Sequence, residues 1–264
     1  MVYIMKTKVE VPMDNNTDGN KYVIDAQNIY KKIGKKDVLK GVNLLVNYGE
    51  IHVLAGHNGA GKTTFFRILI GLLRYDSGTL RVLGLDPYKS RQEVSKRLGY
   101  VPEDSSPYER LTGYENLKVY ALIYSDGNEE IAERYVERGI KISGLKDKDL
   151  SRKAGEYSNG MKKRLLIARA LMHSPKLVLL DEPTNGLDVF SAYNIRKLIK
   201  SMASSGTTFL ISTHNMSEAE MLASKVSFIA HGLVIYTGSV KSAIEEFASV
   251  NLEEAFIKAV GERE

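Results

Sequence analysis

One stretch constrains this chain more than any other: Gly56-His57-Asn58-Gly59-Ala60-Gly61-Lys62-Thr63-Thr64, which fits the pattern G-x-x-x-x-G-K-[ST]. An apolar run, Ile51-His52-Val53-Leu54-Ala55, precedes it and reads as a buried strand. Phe65, Phe66, Ile68, Leu69 and Ile70 follow it and read as the start of an apolar helix. Strand, glycine loop and helix in that order form a phosphate cradle. The glycines let backbone N–H groups turn inward around an anion, and the helix N-terminus adds positive potential. Lys62 is placed to reach β- and γ-phosphates, and the Thr63 hydroxyl is placed to bind Mg²⁺.

A chain of 264 residues can bury a full core around such a cradle. No apolar run approaches the roughly 18 residues of a membrane span, and the N-terminus lacks the long apolar core of a signal peptide. With no cysteine, disulfides, Cys-zinc sites and thiol nucleophiles are excluded, which suits a reducing cytoplasm. The net charge of +5 concentrates in Lys31, Lys32, Lys35 and Lys36 and in Lys162, Lys163 and Arg164. Neither run carries the interleaved aromatics of a single-strand binding platform, so no nucleic-acid partner is expected. Residues 1–20 end in a polar string, Asp14 to Asn20, and read as a flexible N-terminal extension with one strand near Val9–Val11.

The spacing predicts strands at Tyr22–Tyr30, Val42–Val46, Glu50–Ala55 and Thr79–Leu83, forming an antiparallel sheet beside the phosphate loop. Three S/T-x-x-E signatures predict helix starts at Ser90, Thr112 and Ser217. Leu117, Tyr120, Ala121 and Tyr124 share one helical face, and Ala132, Tyr135, Val136 and Gly139 another, so residues 104–172 read as a helical insert without strands. From Lys176 strands and helices alternate: Leu177–Leu180, a helix with Ile195, Leu198, Ile199 and Met202 on one face, Thr207–Ser212, then Val226–Ala230 with Leu233–Tyr236. That alternation predicts a mostly parallel α/β sheet.

The strand Leu177–Leu180 runs straight into Asp181-Glu182. Asp181 can hold Mg²⁺, and Glu182 is free to orient or deprotonate an attacking water. Acidic turns often end strands, and the pair gains meaning from the Lys62 loop. Tyr157-Ser158-Asn159-Gly160-Met161 precedes a helix with Leu165, Ala168 and Met172 at helical spacing. Ser158 and Gly160 there form either a second anion site or a simple N-cap. His214, after Ser212-Thr213, either bonds a γ-phosphate or is structural.

Taken together, these parts resemble the ATP-binding cassette family in its own order: the loop 56–64, the Gln-loop position at Glu103, the signature 157–161, the acidic strand 177–182, the D-loop Gly186-Leu187-Asp188 and the switch His214. Tyr100-Val101-Pro102-Glu103, Met161, and Leu252-Glu253-Glu254-Ala255-Phe256 resemble the ATPase subunits of export-type transporters. The resemblance implies an α/β P-loop fold with a mostly parallel core sheet, an antiparallel β subdomain and a helical subdomain. The cassette would span residues 21–240, with its helical part at about 104–172 and a helical tail at 241–264. ATP and Mg²⁺ are implied as ligands, with Thr63, Asp181 and Glu103 toward the metal and Glu182, His214 and Glu103 in catalysis. Nucleotide contacts are implied for the whole loop 56–64, for Ser158, Asn159, Gly160 and Asp188, and for Tyr30 or Ile33 against adenine.

Three positions depart from the family pattern. Ile33 stands where an aromatic stacks on adenine, with Tyr30 three residues earlier. Glu103 is a carboxylate where the family has an amide, so it can accept but not donate. Asn159 replaces the first signature glycine. The resemblance further implies a homodimer, or a heterodimer with another such ATPase subunit, each ATP held between the Lys62 loop of one chain and Ser158–Gly160 of the other. The partner would be an integral membrane permease, with this chain cytoplasmic and peripheral on the inner membrane face. The alternative is a soluble cassette ATPase of another assembly, such as iron–sulfur cluster delivery.

Overall fold

The computed structural model describes residues 21–261, so the expected extension 1–20 lies outside the described residues. In chain order the elements are β1 (Tyr22–Ile33), β2 (Lys36–Asn47), β3 (Ile51–Ala55), α1 (Lys62–Leu69), β4 (Ser77–Val82), α2 (Arg91–Arg97) and β5 (Leu98–Val101). Next come α3 (Gly113–Tyr124), α4 (Glu129–Ser143), α5 (Asp147–Leu150) and α6 (Asn159–Leu171). The last stretch holds β6 (Leu177–Asp181), α7 (Val189–Ser204), β7 (Thr208–Thr213), α8 (Met216–Leu222), β8 (Lys225–Ala230), β9 (Leu233–Gly238), α9 (Val240–Glu246) and α10 (Leu252–Gly261).

Two sheets organise them. The smaller is antiparallel, in the order β2-β1-β4. The larger runs β5-β6-β7-β3-β8-β9, parallel except for β9. The expected place of 50–55 in the antiparallel sheet is thereby corrected: β3 lies between β7 and β8 and runs parallel to both. The reason is visible in its burial. All five residues of β3 are buried, the mark of a strand covered on both faces, whereas β2 alternates buried and exposed.

Side-chain parity divides the core across the large sheet. Leu54, Leu179 and Leu210 pack with Phe65, Phe66, Ile68 and Leu69 of α1 and with the small sheet. Val53, Val178, Leu180, Phe209 and Ile211 face the other way, onto α6, α7, α8 and α10. A third cluster binds α3, α4 and α6 through Leu117, Ala121, Ala132, Val136, Leu165, Ala168 and Met172, the residues whose spacing predicted shared helical faces. Thr112 forms the expected capping box with Glu115. Ser90 is an N-cap without a side-chain bond, and the predicted start at Ser217 is corrected to Asn215, whose side chain caps α8 through the Glu218 N–H. β5 was not foreseen: it is only four residues long and contains Gly99, where a Cβ would lie 2.2 Å from the Ala170 carbonyl of α6.

His173, just beyond α6, is a buried weak point. Its ring stacks on Tyr124 of α3 with centroids 3.7 Å apart, and the Leu98 backbone favours the charged ring, an effect that burial outweighs. Burial pushes its pKa down to about 4. In the unfolded chain the ring protonates near pH 6.5, so stability is full above that pH and is lost as pH falls toward 4. The linkage amounts to about 2 kcal/mol between pH 7.5 and pH 5. Urea denaturation at the two pH values checks it: His173→Phe, which keeps the stack, is expected to lose that part of the pH dependence. An unchanged dependence would mean that His173 is not its source.

Candidate active site

The parallel register brings three strand ends to one edge. Ala55 pairs with Thr213, and Asp181 pairs with Ser212. The loops that follow β3, β6 and β7 therefore meet at the carboxyl end of the sheet, where open α/β folds bind ligands.

The first loop is Gly56–Gly61. At Gly56 a Cβ would lie 2.3 Å from the Ile229 carbonyl, so the backbone needs glycine to pass. Gly61 is the N-cap of α1 at φ 108, a conformation that glycine adopts without strain. With no capping side chain, the first-turn N–H groups are left for an anion. Lys62 is buried; its Nζ donates to the carbonyls of Gly56 (2.6 Å) and His57 (3.3 Å) and lies 3.5 Å from Glu182 Oε1. His57, Asn58 and Gly59 are exposed, and Ala60 is buried under the loop.

These groups open onto a cavity of about 390 Å³, within the usual size of ligand sites. Asn58, Gly59, Gly61, Lys62, Thr63 and Thr64 form one wall, and Glu103, Asp181 and Glu182 another. β2 supplies Lys36 and Val38. Tyr30 and Ile33, expected near adenine, do not line this cavity. Both are about half exposed on β1, and the Tyr30 ring lies across the hairpin, its hydroxyl 2.9 Å from where a Gly41 Cβ would stand. Lys36 and Val38 were missed, although their two-residue spacing on a strand was a legible sign of a shared face.

The acidic residues differ in their settings. Asp181 Oδ1 accepts from the Ser212 hydroxyl, and the Thr63 hydroxyl stands near enough to favour the ionised carboxyl. Burial pushes the Asp181 pKa up, and the neighbouring Glu182 adds to the rise, against lowering by Ser212, Thr63 and Lys62. Its Oδ2 is buried without a hydrogen bond. An orphaned carboxylate oxygen beside a threonine hydroxyl, in a cavity sized for phosphates, fits Mg²⁺, which takes one or two carboxylates and completes its shell with phosphate and water oxygens. Glu103 faces the same cavity and accepts from Asn185 Nδ2 at 3.1 Å.

Glu182 is the most constrained residue of the site. It sits at φ 47, a left-handed conformation rare for a side-chain-bearing residue. Its Oε1 lies 2.9 Å from His214 Nδ1, and its Oε2 accepts from Thr213 Oγ1 at 3.1 Å. Oε1 makes no hydrogen bond among the described residues despite the nearby imidazole and ammonium, which leaves this buried carboxylate oxygen free to align a water and take its proton.

Ser158, Asn159, Gly160 and Asp188 lie apart from this cavity. Ser158 caps α6, accepting from the Met161 N–H at 3.3 Å. At Gly160 a Cβ would lie 2.4 Å from Ser191 Oγ, so the start of α6 abuts the start of α7. Asp188 caps α7 through the Ser191 N–H at 2.9 Å. One chain thus brings together the Lys62 loop, Glu103, Asp181, Glu182 and His214, and holds the signature residues on a separate face.

Comparison with known proteins agrees with this geometry. The ABC transporter family model matches residues 39–185. The chain is 37% identical over 227 residues to the ABC transporter ATP-binding protein NatA of Bacillus subtilis (strain 168), covering 84% of this chain and 92% of that protein. It is 38% identical over 234 residues to the lantibiotic transport ATP-binding protein SrtF of Streptococcus pyogenes, covering 89% and 96%. Among solved structures, a dimeric ATP-binding cassette in a post-hydrolysis state bound to ADP and Pi matches with a TM-score of 0.71 at 26% identity, covering 82% of this chain and 98% of that one.

Proposed function

This chain belongs to the ABC transporter family, and from that premise we propose that it powers a membrane exporter by closing as a dimer on ATP. It is an ATP-binding and ATP-hydrolysing subunit. The observation that carries the reading is the convergence of Lys62, Asp181, Glu182 and His214 on one phosphate-sized cavity. Lys62 and the loop N–H groups hold the β- and γ-phosphates. Thr63 and Asp181, with Glu103 nearby, hold Mg²⁺, which when bound neutralises charge on the phosphate oxygens. Glu182 takes the proton of the attacking water, and His214 orients it. Val38 offers an aliphatic surface to the base.

The separation of Ser158–Gly160 and Asp188 from this cavity supports a dimer in which each chain completes the other's site. In this reading residues 21–240 are the cassette, 104–172 its helical part, with the stretch near Glu103–Tyr124 facing the permease, and 241–264 a tail. No helix among the described residues is long and apolar enough to cross a membrane. In this reading the permease is a separate chain, as relatives named as ATP-binding proteins of transport systems suggest, with this one peripheral at the inner face of the membrane. The relatives named for transport favour this reading over a soluble iron–sulfur assembly. Affinity purification from detergent-solubilised membranes tests it. A multi-span membrane protein is expected to co-purify and to raise ATP turnover. Recovery with a soluble scaffold alone would refute the export reading and leave the ATPase assignment standing.

A further inference from the structure

Glu218 lies beneath the site, on α8, and is 2% exposed. Its Oε1 accepts from the Thr184 hydroxyl, in the turn that follows Glu182. Its Oε2 lies 2.9 Å from Thr213 Oγ1. The same Oγ1 lies 3.1 Å from Glu182 Oε2 and accepts from the Asn215 N–H at 3.1 Å.

The hydroxyl proton decides the charge state. A threonine hydroxyl has one proton to give and two lone pairs to offer. With both carboxyls ionised, Thr213 can donate to only one, and the other contact sets a buried carboxylate oxygen against a lone pair. With a proton on Glu218 Oε2, every valence is used. Glu218 and the Asn215 N–H donate to Thr213, Thr213 donates to Glu182, and Thr184 donates to the remaining oxygen of Glu218.

We propose that Glu218 is a positioning residue held as a neutral acid, which aims the Glu182 carboxylate through Thr213 and braces the turn behind it through Thr184. The charged groups around it agree. Burial pushes the Glu218 pKa up and Glu182, at the end of β6, adds to the rise, against lowering by Thr184, Thr213 and Arg196 of α7. Lys163 of α6 is the other cation whose field involves Glu218, and its own pKa is lowered by burial. The brace accounts for the persistence of the left-handed conformation at Glu182, which the surroundings must hold in place. It leaves Glu182 Oε1 to His214 and Lys62.

The activity consequence rests on Glu182 acting as the base; the protonation state does not. Glu218→Gln reproduces the neutral acid, its amide donating to Thr213 and its carbonyl accepting from Thr184. Glu218→Leu removes both bonds at similar size. E218L is expected to lower kcat roughly 10- to 100-fold with KM for ATP within about twofold, as misalignment of a base does. E218Q is expected to recover most of that loss. Thr213→Val is expected to match E218L, and the E218L/T213V double variant to be no slower than either alone, because both break one chain of bonds.

Infrared spectroscopy of the full chain without nucleotide supplies a readout that does not depend on turnover or on E218L folding. A protonated carboxyl stretch is expected at neutral pH and is expected to vanish in E218Q. Absence of that band in the wild type, or E218Q as slow as E218L, would overturn the proposal. If the band is present while Glu182→Gln keeps full turnover, the role given to Glu182 fails and the neutral Glu218 stands.

Discussion

Glu182→Gln is expected to hydrolyse ATP roughly 10²- to 10⁴-fold more slowly than the wild type while still binding it, the range for loss of a general base. The amide fills the same volume and can still meet Thr213, whose hydroxyl lies 3.1 Å from Oε2. It cannot take a proton from water, and it no longer attracts His214, which approaches Oε1 to 2.9 Å. The variant also separates binding from turnover. With chemistry stalled, ATP is expected to stay between two chains, so that size exclusion with ATP and Mg²⁺ shows a dimer that ADP does not support. Magnitudes allow this. Moving a population from 1:99 to 99:1 needs about 5.5 kcal/mol of differential binding. Two γ-phosphates, each gaining about two charged hydrogen bonds worth roughly 1.5–3 kcal/mol apiece, reach that figure. A monomer peak together with normal phosphate release would remove Glu182 from the role given to it.

How much of this was legible in the sequence depends on how local each determinant is. The phosphate loop was legible because its conformation is dictated within nine residues by glycines, a strand before and a helix after. Asp181 and Glu182 were legible because an all-apolar strand aimed them at one edge. The adenine side was harder to read. β1 carries four register shifts between Tyr22 and Lys32. Each shift can turn the following side chains to the opposite face, so counting back from the hairpin could not say where Tyr30 or Ile33 would point. The sheet to which β3 belongs is not legible because a five-residue run does not name its partners; its pairing with β7 and β8 and its burial on both faces belong to the folded sheet. Thr213 and Glu218 are illegible for a similar reason. Glu218 lies 34 residues from Thr184 in the chain, and no spacing rule connects them.

Lys62→Ala is expected to weaken ATP binding by at least about 100-fold, close to 3 kcal/mol, as when one partner of a buried charged contact is removed. Two effects act in the same direction. The direct one is loss of the ammonium that the loop holds through the Gly56 and His57 carbonyls, at 2.6 and 3.3 Å, in the place where β- and γ-phosphates are to lie. The indirect one concerns the carboxylates. Lys62 is 3.5 Å from Glu182 Oε1, and its charge also lowers the pKa of Asp181. Without it, a polyanion enters a cavity whose back wall holds Glu103, Asp181 and Glu182. Isothermal titration with ATP and Mg²⁺ measures the loss, and circular dichroism separates it from unfolding. Lys62→Arg refines the test, because the charge is kept but a planar, longer head must fit a loop closed around a compact ammonium. Arginine is therefore expected to restore part of the electrostatics and little of the affinity. If alanine binds ATP as the wild type does, the anion is held by backbone N–H groups alone and Lys62 serves the loop, tying Gly56 and His57 together.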